Sequence, residues 1–292
     1  MNRVLGRQIK DYLKGFIRPR DLVSVPAVVD KPEGSRVLVL SPHFDDDVFG
    51  CGGTLYKHVL AQDSVAVVYL TDGREGDPSV PDKRLVEETR KEEARRATAI
   101  LGIDRLIFLD QPDGRLRPTA RLIDRLAEIV SSEQPDLIYL PSFLENHIDH
   151  FEVSRILLAL AAKIRLECNV CAYEAWTPLL PNIVVDITDV IEKKKEAAQQ
   201  YVSQLKQVDY LNAVVGLNRY RSVYVMRGRG YAEAFLFASF KRYVRLMKRL
   251  GLGRPRYFFD RKHKEILKEM VGLIKRGKRQ DWSQGAPRAE AP

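Results

Sequence analysis

Four short, unbroken apolar runs constrain this chain more than any other feature. Residues 37–40, 65–70, 106–109 and 137–140 each form a block too brief for a helix and without the polar alternation of a strand wetted on one face. Strands of this kind are covered on both sides, which is the environment of a parallel sheet sandwiched by helices. The stretches between them supply the helices. Asp82 is placed to cap a helix that runs to Leu101, with Gly102 as its stop. Thr119 caps the next, with Leu122, Ile123, Leu126, Ile129 and Val130 on one face, and residues 150–162 carry a third stripe through Val153, Ile156, Leu157 and Leu160. Two further strands over 171–176 and 183–187 precede a polar helix over 189–207, and no internal repeat is visible. The pattern predicts an α/β fold: a Rossmann-like, doubly wound, mostly parallel sheet with helices on both faces in a single main domain.

That domain is expected at 35–240, between an N-terminal arm at 1–34 and a basic amphipathic extension at 241–292. A hydrophobic content of 45% suits a globular chain and excludes disorder. No window approaches the roughly 18 apolar residues of a membrane span, and the N-terminus lacks the apolar block of a secretory signal. Three cysteines form no disulfide framework. The expectation is a cytoplasmic protein, soluble or peripheral at the inner membrane surface. Cys168 and Cys171, spaced as CxxC without a second pair, and Cys51 between glycines read as buried packing, and His58 as structural or exposed.

The net charge of +9 is unevenly distributed. Residues 241–292 hold sixteen Lys/Arg against five Asp/Glu, whereas the preceding 240 residues hold 32 against 34. In the tail, Phe240, Val244 and Met247 make one helical stripe, and Ile266, Leu267, Met270, Val271 and Ile274 a second. Basic amphipathic helices serve anionic membranes or polyanionic glycans. The alternative is that both stripes dock on the domain and leave their cations solvated. Nothing in the pattern calls for nucleic acid.

Doubly wound sheets bind ligands beyond the carboxyl ends of their strands. The first apolar run leads into His43-Phe44-Asp45-Asp46-Asp47 and the Gly50-Cys51-Gly52-Gly53 turn; the fourth leads into Glu145-Asn146-His147-Ile148-Asp149-His150. Each cluster alone is explicable as an acidic loop capping a helix. Two of them at corresponding strand ends point instead to a divalent cation, because adjacent carboxylates repel one another unless a positive charge offsets them. Two histidines and one aspartate, with one position left for water, form a donor set that suits zinc. The glycines do not match a dinucleotide fingerprint and are read as permitting close helix–strand packing.

These segments resemble the LmbE / PIG-L family of zinc-dependent N-deacetylases, whose hallmarks are His-Pro-Asp-Asp-Glu with a glycine-rich turn and a distant His-x-Asp-His. Supporting similarity includes Leu70-Thr71-Asp72-Gly73, Asp113-Gly114, Glu174-Ala175-Trp176-Thr177-Pro178 and Tyr231-Ala232-Glu233-Ala234-Phe235. Phe44 and Asp47 depart from the usual proline and glutamate, and Arg74 stands where many members carry glutamate.

The resemblance implies that His43, Asp46 and His150 hold Zn2+ or another divalent metal. It makes Asp45 the general base, and His147, oriented by Asp149, the support for the tetrahedral intermediate or leaving amine. Arg90 and Asp113 match positions that contact the sugar; Trp176 suits a carbohydrate-lining wall or the core. Tyr201, Ser203 and Gln204 are candidates to close the pocket. The implied substrate is an N-acetylated sugar or glycoconjugate. The alternatives are another small sugar or thiol conjugate, or a non-catalytic glycan- or lipid-binding module on the same fold.

Overall fold

The computed structural model describes residues 26–252. Its sheet contains β1 (Ala27–Val29), β2 (Arg36–Ser41), β3 (Ser64–Thr71), β4 (Arg105–Gln111), β5 (Leu137–Pro141), β6 (Asn169–Tyr173), β7 (Ile183–Asp186) and β8 (Ala232–Ser239). The strand order is β1-β7-β8-β6-β5-β2-β3-β4. All pairs are parallel except those of β8, which runs antiparallel to both β6 and β7. The four apolar runs are β2, β3, β4 and β5, of which β2, β3 and β5 lie inside the sheet while β4 forms its partly buried edge, and the mostly parallel, helix-covered sheet matches the expectation from sequence. The order reverses at β2, which has β3 on one side and β5 on the other. Loops leaving those two strands therefore diverge and open a crevice at the carboxyl edge.

The helices are α1 (Asp46–Leu60), α2 (Lys83–Ile100), α3 (Ala120–Glu133), α4 (Ile148–Lys163), α5 (Ile191–Ala198), α6 (Val202–Leu205), α7 (Tyr210–Arg221), α8 (Val223–Met226) and α9 (Phe240–Arg249). Asp82 accepts from the amides of Arg84 and Leu85, and Thr119 from that of Leu122, as their cap positions require. The polar stretch over 189–207 is interrupted between α5 and α6, where Tyr201 is buried against Phe49 with ring centroids 5.4 Å apart. β1, β8 and α7 are additions to the sequence reading. β1 has three residues, too few for a pattern, and lies inside the stretch read as an N-terminal arm. In α9, Phe240, Tyr243, Val244 and Met247 are buried. The first tail stripe thus docks; the second, with His263, lies outside the described residues.

The glycine turn has a packing cause. α1 is broken at Cys51 (φ −145°, ψ 16°), and Glu233 of β8 accepts the amides of Gly53 and Thr54 beyond the break while pairing with the buried Lys194. A Cβ on Gly50 would sit 2.3 Å from the Tyr173 ring. Gly50→Ala is therefore expected to destabilise the fold by about 1–3 kcal/mol, read as a lowered thermal midpoint; an unchanged midpoint would contradict this packing.

The three cysteines are buried free thiols. His58 is fully buried, with Nδ1 2.8 Å from Asp63 and Nε2 2.9 Å from the Tyr139 hydroxyl. Burial holds its pKa below the usual 6.5 despite Asp63. Its unfolded counterpart takes up a proton first, so its contribution to stability is present above about pH 6.5 and is lost as pH falls. His58→Gln is expected to flatten the decline in thermal midpoint between pH 7 and 5.5.

Candidate active site

The β2 end is fixed before any functional group is placed. Ser41 Oγ donates to the His43 carbonyl at 2.8 Å, and Thr71 donates to the Pro42 carbonyl through its amide and its hydroxyl. The next residues begin α1, where carboxylates are favoured by the helix N-terminus. His43 Nδ1 lies 2.9 Å from Asp46 Oδ2, which also accepts the His43 amide. From the β5 end, α4 delivers His150, whose Nε2 stands 3.2 Å from Asp46 Oδ1 and 3.2 Å from His43 Nδ1. Three donor atoms from two remote segments thus converge.

A ring of carboxylates surrounds the pair of imidazoles. Asp113 and Asp149 approach His43 Nε2 at 3.2 and 3.4 Å, and Glu145 approaches His150 Nδ1 at 3.4 Å. Burial pushes the imidazole pKa values down, but Asp46 and the other carboxylates outweigh it, so His43 is raised well above its usual value and His150 is also raised. Burial likewise pushes Asp46 up, yet the two histidines hold it well below the carboxylate range. Asp113 is held at about 2 against its own burial, chiefly by His43. The cluster therefore demands positive charge at its centre.

A divalent cation fits this demand. His43 Nδ1, Asp46 and His150 Nε2 are separated by 2.9–3.2 Å, close to the edges of a ligand tetrahedron built on bonds of about 2.0–2.2 Å. Donors of His43, His147 and His150, and those of His43, Asp113 and Asp149, also lie within 4.8 Å of one another. Asp149, however, is fully buried and accepts the amides of Gly114 and Leu116 at 2.7 and 3.0 Å.

The same geometry corrects the expectation that Asp149 orients His147. The Asp149 carboxylate turns to the 114–116 backbone and to His43 instead. His147 caps α4, its Nδ1 accepting the Asp149 amide at 3.3 Å. A ring that accepts at Nδ1 carries its proton on Nε2. Burial and the charges on His43 and His150 keep His147 below the usual histidine value, so it is neutral at pH 7.

Asp45, His43, Asp46, Arg90, Asp113, His147 and Trp176 line one cavity of about 600 Å³. Burial raises the Asp45 carboxyl above its ordinary value even though Arg90 stands 3.3 Å away. Arg90 is itself buried, donates to the Gly73 carbonyl and lies over the Phe44 ring. Trp176 is half exposed and meets Tyr210 edge-on at 5.5 Å. Gln204 lines the cavity, whereas Ser203 is spent on Glu93. Phe44 and Asp47 do not line it: Phe44 packs on Tyr69 and Phe108, and Asp47 accepts from the Tyr69 hydroxyl, with burial raising its pKa to about 8.

Sequence reasoning missed Glu145, which accepts the amides of Ala175, Trp176 and Thr177 while facing His150. An acid two residues before His147 was its only local signal. It also missed Phe49, two residues beyond the first motif, and the apolar wall from α7, which is separated from both motifs by a long stretch of chain.

A doubly wound, mostly parallel sheet with a buried His/Asp cluster at its switch point defines a class by fold and site together. Residues 38–161 match the family model described as PIG-L, GlcNAc-PI de-N-acetylase. It is 29% identical over 229 residues to the diacetylchitobiose deacetylase of Thermococcus kodakarensis, covering 69% of this chain and 82% of that protein. It is 27% identical over 224 residues to a 4-oxalmesaconate hydratase of Pseudomonas putida, covering 67% and 86%. Among solved structures, a conserved protein of Thermus thermophilus superposes with a TM-score of 0.61 at 29% identity, covering 69% of this chain and 93% of that one.

Proposed function

We propose that this protein removes an N-acetyl group from an N-acetylated amino sugar or glycoconjugate, using a divalent metal, with zinc the best fit to the donor set. The observation that carries the reading is the convergence of the fully buried His150 on His43 and Asp46, which line a cavity that also presents Asp45 and His147. When bound, the metal would supply Lewis-acid polarisation and lower the pKa of water from 15.7 toward about 7. Asp45 takes the proton of the attacking water, and its burial makes it a stronger base than an exposed carboxylate. Neutral His147 presents its Nε2–H as a hydrogen bond to the developing oxyanion, and the proton that Asp45 took from water passes to the departing amine. Arg90 holds Asp45, and Arg90, Asp113 and Trp176 line the space for the sugar.

Acetate release across N-acetylated sugars, with and without chelator, tests the reading. Release abolished by chelation and restored by zinc is expected; zinc-bound protein inert on every amide would overturn it. The hydratase relative supplies a second reading, addition of water to an unsaturated acid, which a substrate of that class in the same assay distinguishes.

Glu145→Gln would leave an amide group facing both His150 and the three backbone donors. Replacing such a partner of a ligating histidine is expected to weaken metal affinity by about 10–100-fold, measured by competition with a chromophoric chelator. For the basic stretch, we propose contact with an anionic surface. Lys241, Arg245, Lys248 and Arg249 are exposed on α9, and among the described residues no helix is long and apolar enough to cross a membrane. Flotation of the full chain with anionic but not zwitterionic vesicles is expected.

A further inference from the structure

We propose that this protein carries, at the edge of the sheet opposite the catalytic cavity, a groove that binds the phosphomonoester headgroup of an anionic phospholipid. The inference rests on the anionic-surface reading of the basic stretch and narrows it from diffuse attraction to one discrete lipid site.

The groove, about 1150 Å³ in volume, runs between α9 and the connection from α4 to β6. Its floor is apolar and includes Ile164, Leu166, Phe240 and Val244. The Phe240 amide donates to the Cys168 carbonyl at 2.9 Å, which fixes the first turn of α9 against the start of β6. Lys241, Arg245 and Lys248 follow at i, i+4 and i+7, so they share one helix face over about 10 Å. Arg249 extends that face, and Arg165 stands on the facing connection. All five cations are exposed.

The balance of charge calls for an anionic ligand. Two carboxylates line the groove, and one of them is already engaged. Asp136 Oδ1 accepts the amides of Ser35 and Arg36 at 2.9 Å, and its Oδ2 accepts the Ser35 hydroxyl. Glu167 alone is left against five cations. Among the described residues none of the five is held in an ion pair. On neighbouring helices, by contrast, Arg155 pairs with Glu152, Lys163 with Asp124 and Arg125 with Glu128. Cations presented from two walls repel one another until an anion sits between them. A phosphomonoester brings close to two negative charges and three acceptor oxygens, and guanidinium groups meet such oxygens in pairs. The apolar floor favours a lipid over a free phosphate, because it covers the glycerol and the first methylenes beside the headgroup.

The groove also sets an orientation. Asp136 and Asn169, which line it, stand at the amino ends of β5 and β6. The catalytic cluster lies beyond the carboxyl ends, and the five residues of β5 put roughly 16 Å of sheet between the two. A lipid in the groove therefore holds the cavity away from the bilayer.

The test is flotation of the full chain with phosphatidylcholine vesicles containing either phosphatidic acid or phosphatidylglycerol at matched surface potential. Binding at least about ten-fold tighter to phosphatidic acid is expected, the worth of one charge-assisted hydrogen bond. Lys241→Gln with Arg245→Gln is expected to remove that preference. Lys206→Gln with Arg242→Gln removes the same charge outside the groove and is expected to retain it. Equal binding of the parent to the two vesicles would overturn the groove and leave the anionic-surface reading standing; binding to neither would overturn both. A preference that survives the groove substitutions, or falls equally in both double variants, would also overturn it. For the orientation, Trp282→Phe leaves Trp176 as the sole tryptophan. Its emission is expected to be unaffected by vesicles with brominated acyl chains, whereas quenching would place the cavity rim in the bilayer and overturn the proposal.

Discussion

Asp45→Asn is expected to lower kcat by about 10²–10⁴-fold while full metal content is retained. Asn keeps the volume and one acceptor oxygen, so Arg90 retains a partner, but the amide takes no proton from water. The donor set of His43, Asp46 and His150 is untouched. Because burial raises the Asp45 carboxyl, kcat/KM of the parent enzyme should rise with pH through a value above the ordinary carboxylate range, and this acid limb should vanish in the variant. Stability follows the opposite sign. A raised carboxyl favours the protonated form in the folded state, so its effect on folding becomes unfavourable as pH increases. The neutral substitution is expected to leave the thermal midpoint at pH 7 unchanged or higher. Turnover within ten-fold of the parent would remove Asp45 from the role of base.

His150→Ala is expected to abolish stoichiometric metal binding and, with it, turnover. His150 is fully buried and supplies the donor atom that spans the β2 and β5 segments. Its loss leaves Asp46 and Glu145 buried without the imidazole between them, a kind of change that costs about 3–5 kcal/mol. The folding defect can be separated from the metal defect with His150→Asn, which keeps a polar group in place of the void. Metal content by elemental analysis, together with a normal circular dichroism spectrum for the Asn variant, isolates the ligand role. Full zinc occupancy in either variant would contradict the donor assignment.

These two residues also show how far the chain could be read before its fold was known. Asp45 and His150 lie in compact motifs, each following an apolar run that has no stable place except a covered parallel strand. Each run is too short for a helix and is apolar throughout, so the parallel part of the sheet was visible in the sequence. The position of the motifs at strand ends followed from the same pattern. Glu145 was not legible in this way. Its carboxylate acts on amides about thirty residues away, and no spacing in the sequence encodes a contact between two loops. Asp149 was assigned to the wrong histidine because adjacency along the chain favoured His147. Helix geometry instead turns its carboxylate to the backbone at Gly114 and Leu116 and to His43.

The sequence by itself determined strands β2 to β7, the helix starts at Asp82 and Thr119, and the two His/Asp segments, because each depends on neighbours a few residues away. Only the tertiary structure decided the order of the strands, the antiparallel insertion of β8, and the cavity wall from α7. It also decided which carboxylate serves which imidazole. Those outcomes depend on the burial of charge and on close packing between distant elements, whose energies are set by the assembled surroundings and not by any short stretch of chain.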